Sequence, residues 1–419
     1  MSIAIYPKML RGTINDPSSK TYTLLSILLS SMCSMPSKIV NPCYSDEILT
    51  LITALEQIGI KFKSIDNSLI ITPAKEINRN TTIIECNNYE SILMSLILYI
   101  SSITKHISFH GDSSIFELLD KTTLDNLPIT FLKTNETLNV THVDLINEIN
   151  LIDLSSPFLI IGSILYGLYN KQDLTLHINK KLINSSHLKM LQKVLQLYQI
   201  NLMISEESNI IYLQYQEPTS PHKVIVEGDW LQGSHYLAMG MSNERLIINN
   251  LNIDSYQPES KFIDFLKSKG ATISIGNNVI ICENSFLTST NYDLIDCPII
   301  SLLMLTISTI SEGTSILYNY INLSDRYKKL NLELANILTS MGAKITFTDK
   351  DIIVEGVKSL EGGLIDSHSD ALILLSLITI ANYYIKPLEL SNINDLMKKF
   401  PYFLNNLKSI EAQIFERNL

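Results

Sequence analysis

The stretch "DPSSKTYTLL" (16–25) sets Lys20 directly behind Pro17, Ser18 and Ser19, at the head of an apolar run. A serine in that place is a helix N-cap, so the N–H groups of the first turn and the Lys20 ammonium face one spot. Such a spot binds an anion, because the helix N-terminus offers unpaired donors and partial positive charge. A solvated lysine on a capped surface helix is the plain alternative. No second chemistry is spelled out as clearly. Cys33, Cys43, Cys86, Cys282 and Cys297 are scattered and never in C-x-x-C spacing, and the eight histidines form no H-x-x-x-H pair, so neither a metal nor a cofactor is expected. A net charge of −10 argues against a broad nucleic-acid surface, which needs clustered positive charge. Any anion site must therefore be local.

The residues around Lys20 need a scaffold, and the chain repeats one. "DEILTLITALEQIGIKFKSIDNSLIITP" (46–73) has apolar spacing of three and four, then Gly59, then alternation broken by the turn "DNS". The pattern reads helix, strand, turn, strand. It returns at 187–214, 260–283 and 330–356. Marking each helix-to-strand junction gives Gly59, Gln199, Gly270 and Gly342, with weaker equivalents at Pro128 and Glu411, so a unit of about 70 residues occurs six times. Three units per globular domain make two similar domains. The runs 298–310 and 371–385 are too apolar for surface helices and shorter than the roughly 20 residues a bilayer crossing needs. They are expected as buried helices, with sheets outside them. The first twelve residues lack a signal-peptide pattern, so a cytoplasmic protein without membrane contact is expected.

Motifs in a fixed order give these units a family. "LRGTINDPSSKT" (10–21), "IVNPCYSDEILTLITALEQIGI" (39–60), "LSSPFLI" (154–160), "VEGDWLQGSHYLAMG" (226–240), "DCPIISLLMLTISTISEGTSILYNYINLSDR" (296–326), "DSHSDALILLSL" (366–377) and "KKFPYF" (398–403) resemble, in turn, the motifs of the EPSP synthases, the 3-phosphoshikimate 1-carboxyvinyltransferases. The resemblance covers essentially the whole chain. It implies an α/β fold, a two-domain inside-out α/β barrel of six βαβαββ units. Residues 1–17 with 230–419 would form one domain and 18–229 the other, joined by crossovers near 17–20 and 226–230. It also implies a monomer that needs no cofactor and binds two anionic small molecules, phosphoenolpyruvate and shikimate 3-phosphate. The enolpyruvyl group of the first would move to the 5-hydroxyl of the second.

Carried over position by position, the resemblance assigns Lys20, Arg326 and Lys398 to phosphoenolpyruvate. Thr21, Ser155 and Ser156 would hold the shikimate phosphate, with His368 and Asp325 as further site residues. Four of them have a structural alternative: Ser155 and Ser156 as helix caps, His368 as a partner of its own loop, Arg326 as a tether for Asp325 and the helix start. The departures are as informative. Ser114 and Ser369 stand where arginines are expected, Leu25 where an arginine would face the shikimate ring, and Pro157 where a glutamine belongs. The acid–base positions hold Ile299, Asn322 and Leu323, and isoleucine and leucine cannot move protons. Glu90, Glu227, Asp229 and His235 are the nearest substitutes. The expectation is an EPSP-synthase homologue with a degenerate active site. A divergent but working synthase and a structural or partner-binding paralogue are the alternatives.

Overall fold

Leucine at one position and a left-handed residue four places later end most of the amphipathic helices in the same way. In the computed structural model, which describes residues 2–117, 119, 124–152, 156–183, 185–241, 244–295, 297–365 and 370–417, Gly59, Gln199, Gly270, Gly342 and Glu411 all have positive φ. At Gly59 the N–H donates to the Glu56 carbonyl (2.9 Å) and the Ile60 N–H to the Leu55 carbonyl (3.2 Å). The same pair of bonds recurs at Gln199, Gly270, Gly342 and Glu411. This is the Schellman closure, which satisfies the orphan carbonyls of a helix end and turns the chain into a strand. Leu55, Leu195, Leu266, Leu338 and Leu407 anchor it in the core. The second unit keeps its leucine, Leu124, but has Pro128 at the left-handed position. Proline cannot adopt positive φ, so that junction closes instead through Leu127 N–H to the Leu124 carbonyl at 3.1 Å.

The strands that follow build six four-stranded sheets with one shared topology. In each sheet the first strand is parallel to the second, the second antiparallel to the third, and the third antiparallel to an edge strand. Residues Ser18–Val226 form one compact unit with three such sheets, and Met1–Pro17 with Glu227–Leu419 form the other with three. Three of the six borrow a distant strand, the first of them by pairing Arg11–Asn15 in parallel with Arg245–Asn249. Lys223–Ile225 pairs with Ser37–Val40, and Ser2–Tyr6 lies between Leu388–Leu390 and Gln413–Arg417.

Each unit carries three helices buried on almost every face: Lys20–Met32, Glu90–Thr104 and Phe158–Tyr169 in one, Trp230–Met241, Ser301–Thr309 and Ala371–Thr379 in the other. A helix that is apolar all round belongs in a core. With the helices at the centre and one face of each sheet turned toward them, each unit is an inside-out α/β barrel. Gly162 makes the close packing workable, since a Cβ there would sit 2.4 Å from the Met94 carbonyl oxygen of the neighbouring helix. The five cysteines are buried and free. Among the described residues no helix is long and apolar enough to cross a membrane.

The chain passes between the units at Pro17/Ser18 and Val226/Glu227. The second crossing falls where hydrogen bonds change sides. Val226 donates to the Val40 carbonyl (3.0 Å), whereas Gly228 donates to the Asn250 carbonyl (2.9 Å) and Asp229 to the Pro17 carbonyl (2.8 Å). Residues 227–229 are therefore tied to the unit that holds both ends of the chain.

Candidate functional site

In the unit Ser18–Val226 the site residues gather at the start of Lys20–Met32. Ser19 is the N-cap, its Oγ accepting from the Tyr22 N–H at 3.3 Å. Lys20 opens the helix, and its Nζ lies 2.5 Å from Glu47 Oε2. Glu47 is buried and also accepts from Ser91 Oγ, so the lysine is held against a fixed carboxylate and only about a third of its side chain meets solvent. Spacing within one segment could not reveal this partner, because Glu47 comes from the next helix, Asp46–Gln57.

Thr21 is half-buried in the following position. It shares an apolar recess with Leu25, Pro157, Phe158 and His187. Burial pushes the His187 imidazole below its ordinary value, which favours the neutral ring. Leu25, where the resemblance implies an arginine, is packed into the core. Pro157 takes the N-cap position of Phe158–Tyr169 and supplies no side-chain cap bond. Ser156 precedes that position; its Oγ is buried and, among the described residues, has no hydrogen-bond partner. Ser155 lies outside the described residues. Ser114 is exposed near the start of a short helix and donates its N–H to Asp112 Oδ1 at 2.9 Å.

In the other unit the charged residues meet at Asp370. This aspartate caps Ala371–Thr379, accepting the Leu372 N–H at 2.9 Å. Arg326, near the start of Asp325–Ser340, places its guanidinium 3.8 Å from Asp370 Oδ2. Lys399 Nζ is also 3.8 Å from that oxygen and 3.0 Å from Asp395. Lys398, the lysine assigned by resemblance, is exposed on the short helix Asn394–Lys399, and its neighbour Lys399 is the one in the cluster. Arg326 thus turns to Asp370, while Asp325 is exposed beside Lys328. His368 and Ser369 lie outside the described residues.

The expected acid–base positions are of another character. Leu323 is buried in the core of this unit, Ile299 is half-buried against it, and Asn322 is exposed, its amide reaching Asn319 Oδ1 at 3.3 Å. The substitutes are committed elsewhere. His235 is buried with Nδ1 at 2.7 Å from Thr379 Oγ1, and burial pushes it down to about 3. Glu227 accepts from Asn252, Ser255 and Gln257. Asp229 is buried and caps the Gln232 N–H at 3.1 Å. Glu90 is the first residue of Glu90–Thr104. What the two groups of residues can do is hold negative charge; neither Leu323 nor Ile299 can exchange a proton.

The fold itself defines a class. The EPSP synthase structures from Acinetobacter baumannii superimpose with TM-scores of 0.80 at 16% and 17% identity, over 99–100% of this chain and 100% of theirs. The enolpyruvyl transferase NikO from Streptomyces tendae gives 0.79 at 14% identity, over 99% of this chain and 98% of the other. Sequence narrows that class. The model of the family described as EPSP synthase (3-phosphoshikimate 1-carboxyvinyltransferase) matches residues 6–407, and the chain belongs to this family. The 3-phosphoshikimate 1-carboxyvinyltransferase of Methanococcus aeolicus is 26% identical over 97% of this chain and 98% of its own. That of Clostridioides difficile is 25% identical over 100% and 99%.

Proposed function

We propose that this chain is an EPSP-synthase homologue in which transfer of the carboxyvinyl group from phosphoenolpyruvate to shikimate 3-phosphate is weak or lost, while binding of an anionic small molecule is retained. The observation that carries this reading is Leu323: it directly precedes Ser324, Asp325 and Arg326 and is packed into the core, where the resemblance places a proton-transfer group. Loss of one such group costs about 10² to 10⁴ in rate. Here Leu323, Asn322 and Ile299 depart together. Retention of Lys20 and Arg326 supports residual binding, each at the start of a helix whose dipole favours negative charge.

The test is phosphate release from phosphoenolpyruvate in the presence of shikimate 3-phosphate, alongside an active family member. The expected outcome is a kcat/KM lower by at least about 10³. Turnover within tenfold of the active enzyme would instead establish a working synthase with replaced residues. Calorimetry with each substrate addresses binding, and Lys20→Ala is expected to abolish it. A chain that binds neither substrate would be a structural or partner-binding paralogue.

A further inference from the structure

Two cations that converge on one internal carboxylate are not both available to a ligand. Arg326 and Lys399 approach the same Asp370 oxygen at 3.8 Å, and Asp395 holds Lys399 a second time at 3.0 Å. Asp370 is fixed there by its other oxygen, which caps the Leu372 N–H at 2.9 Å, and its side chain is only 21% exposed. The anion that a helix N-terminus, a guanidinium and an ammonium would recruit from solution is therefore supplied by the chain.

We propose that Asp370 is a specificity-determining residue that fills the anion position beside Arg326 and Lys399, so that this unit selects against a multiply charged ligand such as a phosphorylated carboxylate and takes a singly charged or neutral group there. The inference rests on the reading of Arg326 as a ligand-facing cation. An incoming dianion meets a fixed negative charge a few ångströms away, and that repulsion grows with each charge on the ligand. A monoanion meets half of it, and a neutral hydrogen-bonding group almost none. Arg326 is the exposed member of the cluster, with 56% of its side chain in solvent, so it remains reachable by such a group.

Asp370→Asn tests the idea, because asparagine caps a helix as well as aspartate does and removes only the charge. Asp370→Ser, a second capping residue, guards against an effect peculiar to the amide. Calorimetric titrations of the full chain with phosphoenolpyruvate, inorganic phosphate and acetate read the result. Both variants are expected to gain about tenfold in affinity for phosphoenolpyruvate, less for phosphate and little for acetate. Arg326→Ala in the Asp370→Asn background is expected to erase the gain. A mere change in the cap would shift all three probes alike, and that outcome overturns the proposal. Unchanged affinities in Asp370→Asn, with binding that Arg326→Ala still weakens, overturn it and leave the anion-binding reading intact. Affinities indifferent to both substitutions overturn the proposal together with the reading of Arg326 as a ligand-facing cation.

Discussion

Lys269 is the most unusual single residue outside the candidate site. It has no exposed surface, its Nζ donates to Ser315 Oγ at 3.1 Å, and it sits 5.1 Å from the centre of the Phe265 ring. Burial disfavours the ammonium and pushes its pKa from 10.5 down to about 8. The folded chain thus gives up a proton that the unfolded chain keeps between pH 8 and 10.5. Stability rises with pH wherever the unfolded state binds more protons, so it climbs through that window, and below it the full cost of about 3 kcal/mol applies. Lys269→Met is expected to stabilise the protein at pH 7 by about 1–3 kcal/mol, and the advantage should shrink toward pH 10.5. Urea midpoints of both proteins at pH 7, 9 and 10.5 check this; a constant difference would mean that the buried lysine keeps its ordinary pKa and its charge across the whole range. The candidate site was legible only in part for the same reason. Lys20 is visible because capping spacing is local and Arg326 because it closes a motif that resembles the family's, but Glu47 and Lys399 contribute through tertiary packing, which no local pattern encodes. Asp370 had a signal, an aspartate ahead of an apolar run, that reads as a cap and not as a counter-charge.

At the scale of the element, the left-handed helix ends separate backbone strain from packing. Gln199 adopts φ 62° where Gly59, Gly270 and Gly342 stand in the sister units. Glycine there avoids the Cβ penalty, so Gln199→Gly is expected to raise stability by about 0.5–1 kcal/mol. Gly342→Ala is the mirror experiment. An added Cβ would meet nothing within 4 Å, so the expected loss of about 1 kcal/mol is conformational alone. Thermal unfolding of the two variants checks the pair, and an unstrained Gly342→Ala would remove the argument. These junctions also explain why the fold was readable. The switch from helical to alternating spacing, with a leucine four residues before a small or left-handed residue, marks five of six units. Pro128 weakens the signal of the remaining one, and the deeply buried helices show no face at all because they have no solvent side.

At the scale of the molecule, what local reading misses is where the strands of the last sheet come from. Ser2–Tyr6 is the third strand of a sheet whose other members lie beyond residue 362, paired to Leu388–Leu390 on one side and Gln413–Arg417 on the other. Ile3 and Ile5 are buried there, and Arg11–Asn15 pairs in parallel with Arg245–Asn249 before the chain enters the other unit. The unit Ser18–Val226, by contrast, is one continuous segment with its own core and all of its sheet partners, including Lys223–Ile225. Removing residues 1–6 takes two isoleucines out of the core, worth about 1.5–3 kcal/mol each, and leaves two strands without the partner between them. That approaches the whole stability of an ordinary domain, about 5–15 kcal/mol. The truncated chain is therefore expected to keep slow amide exchange in 18–226 and to lose it across 227–417. The segment 18–226 expressed alone is expected to unfold in one cooperative step. Protection lost equally in both halves would show that neither unit holds itself together, and protection kept in both would show that the terminal strand is dispensable.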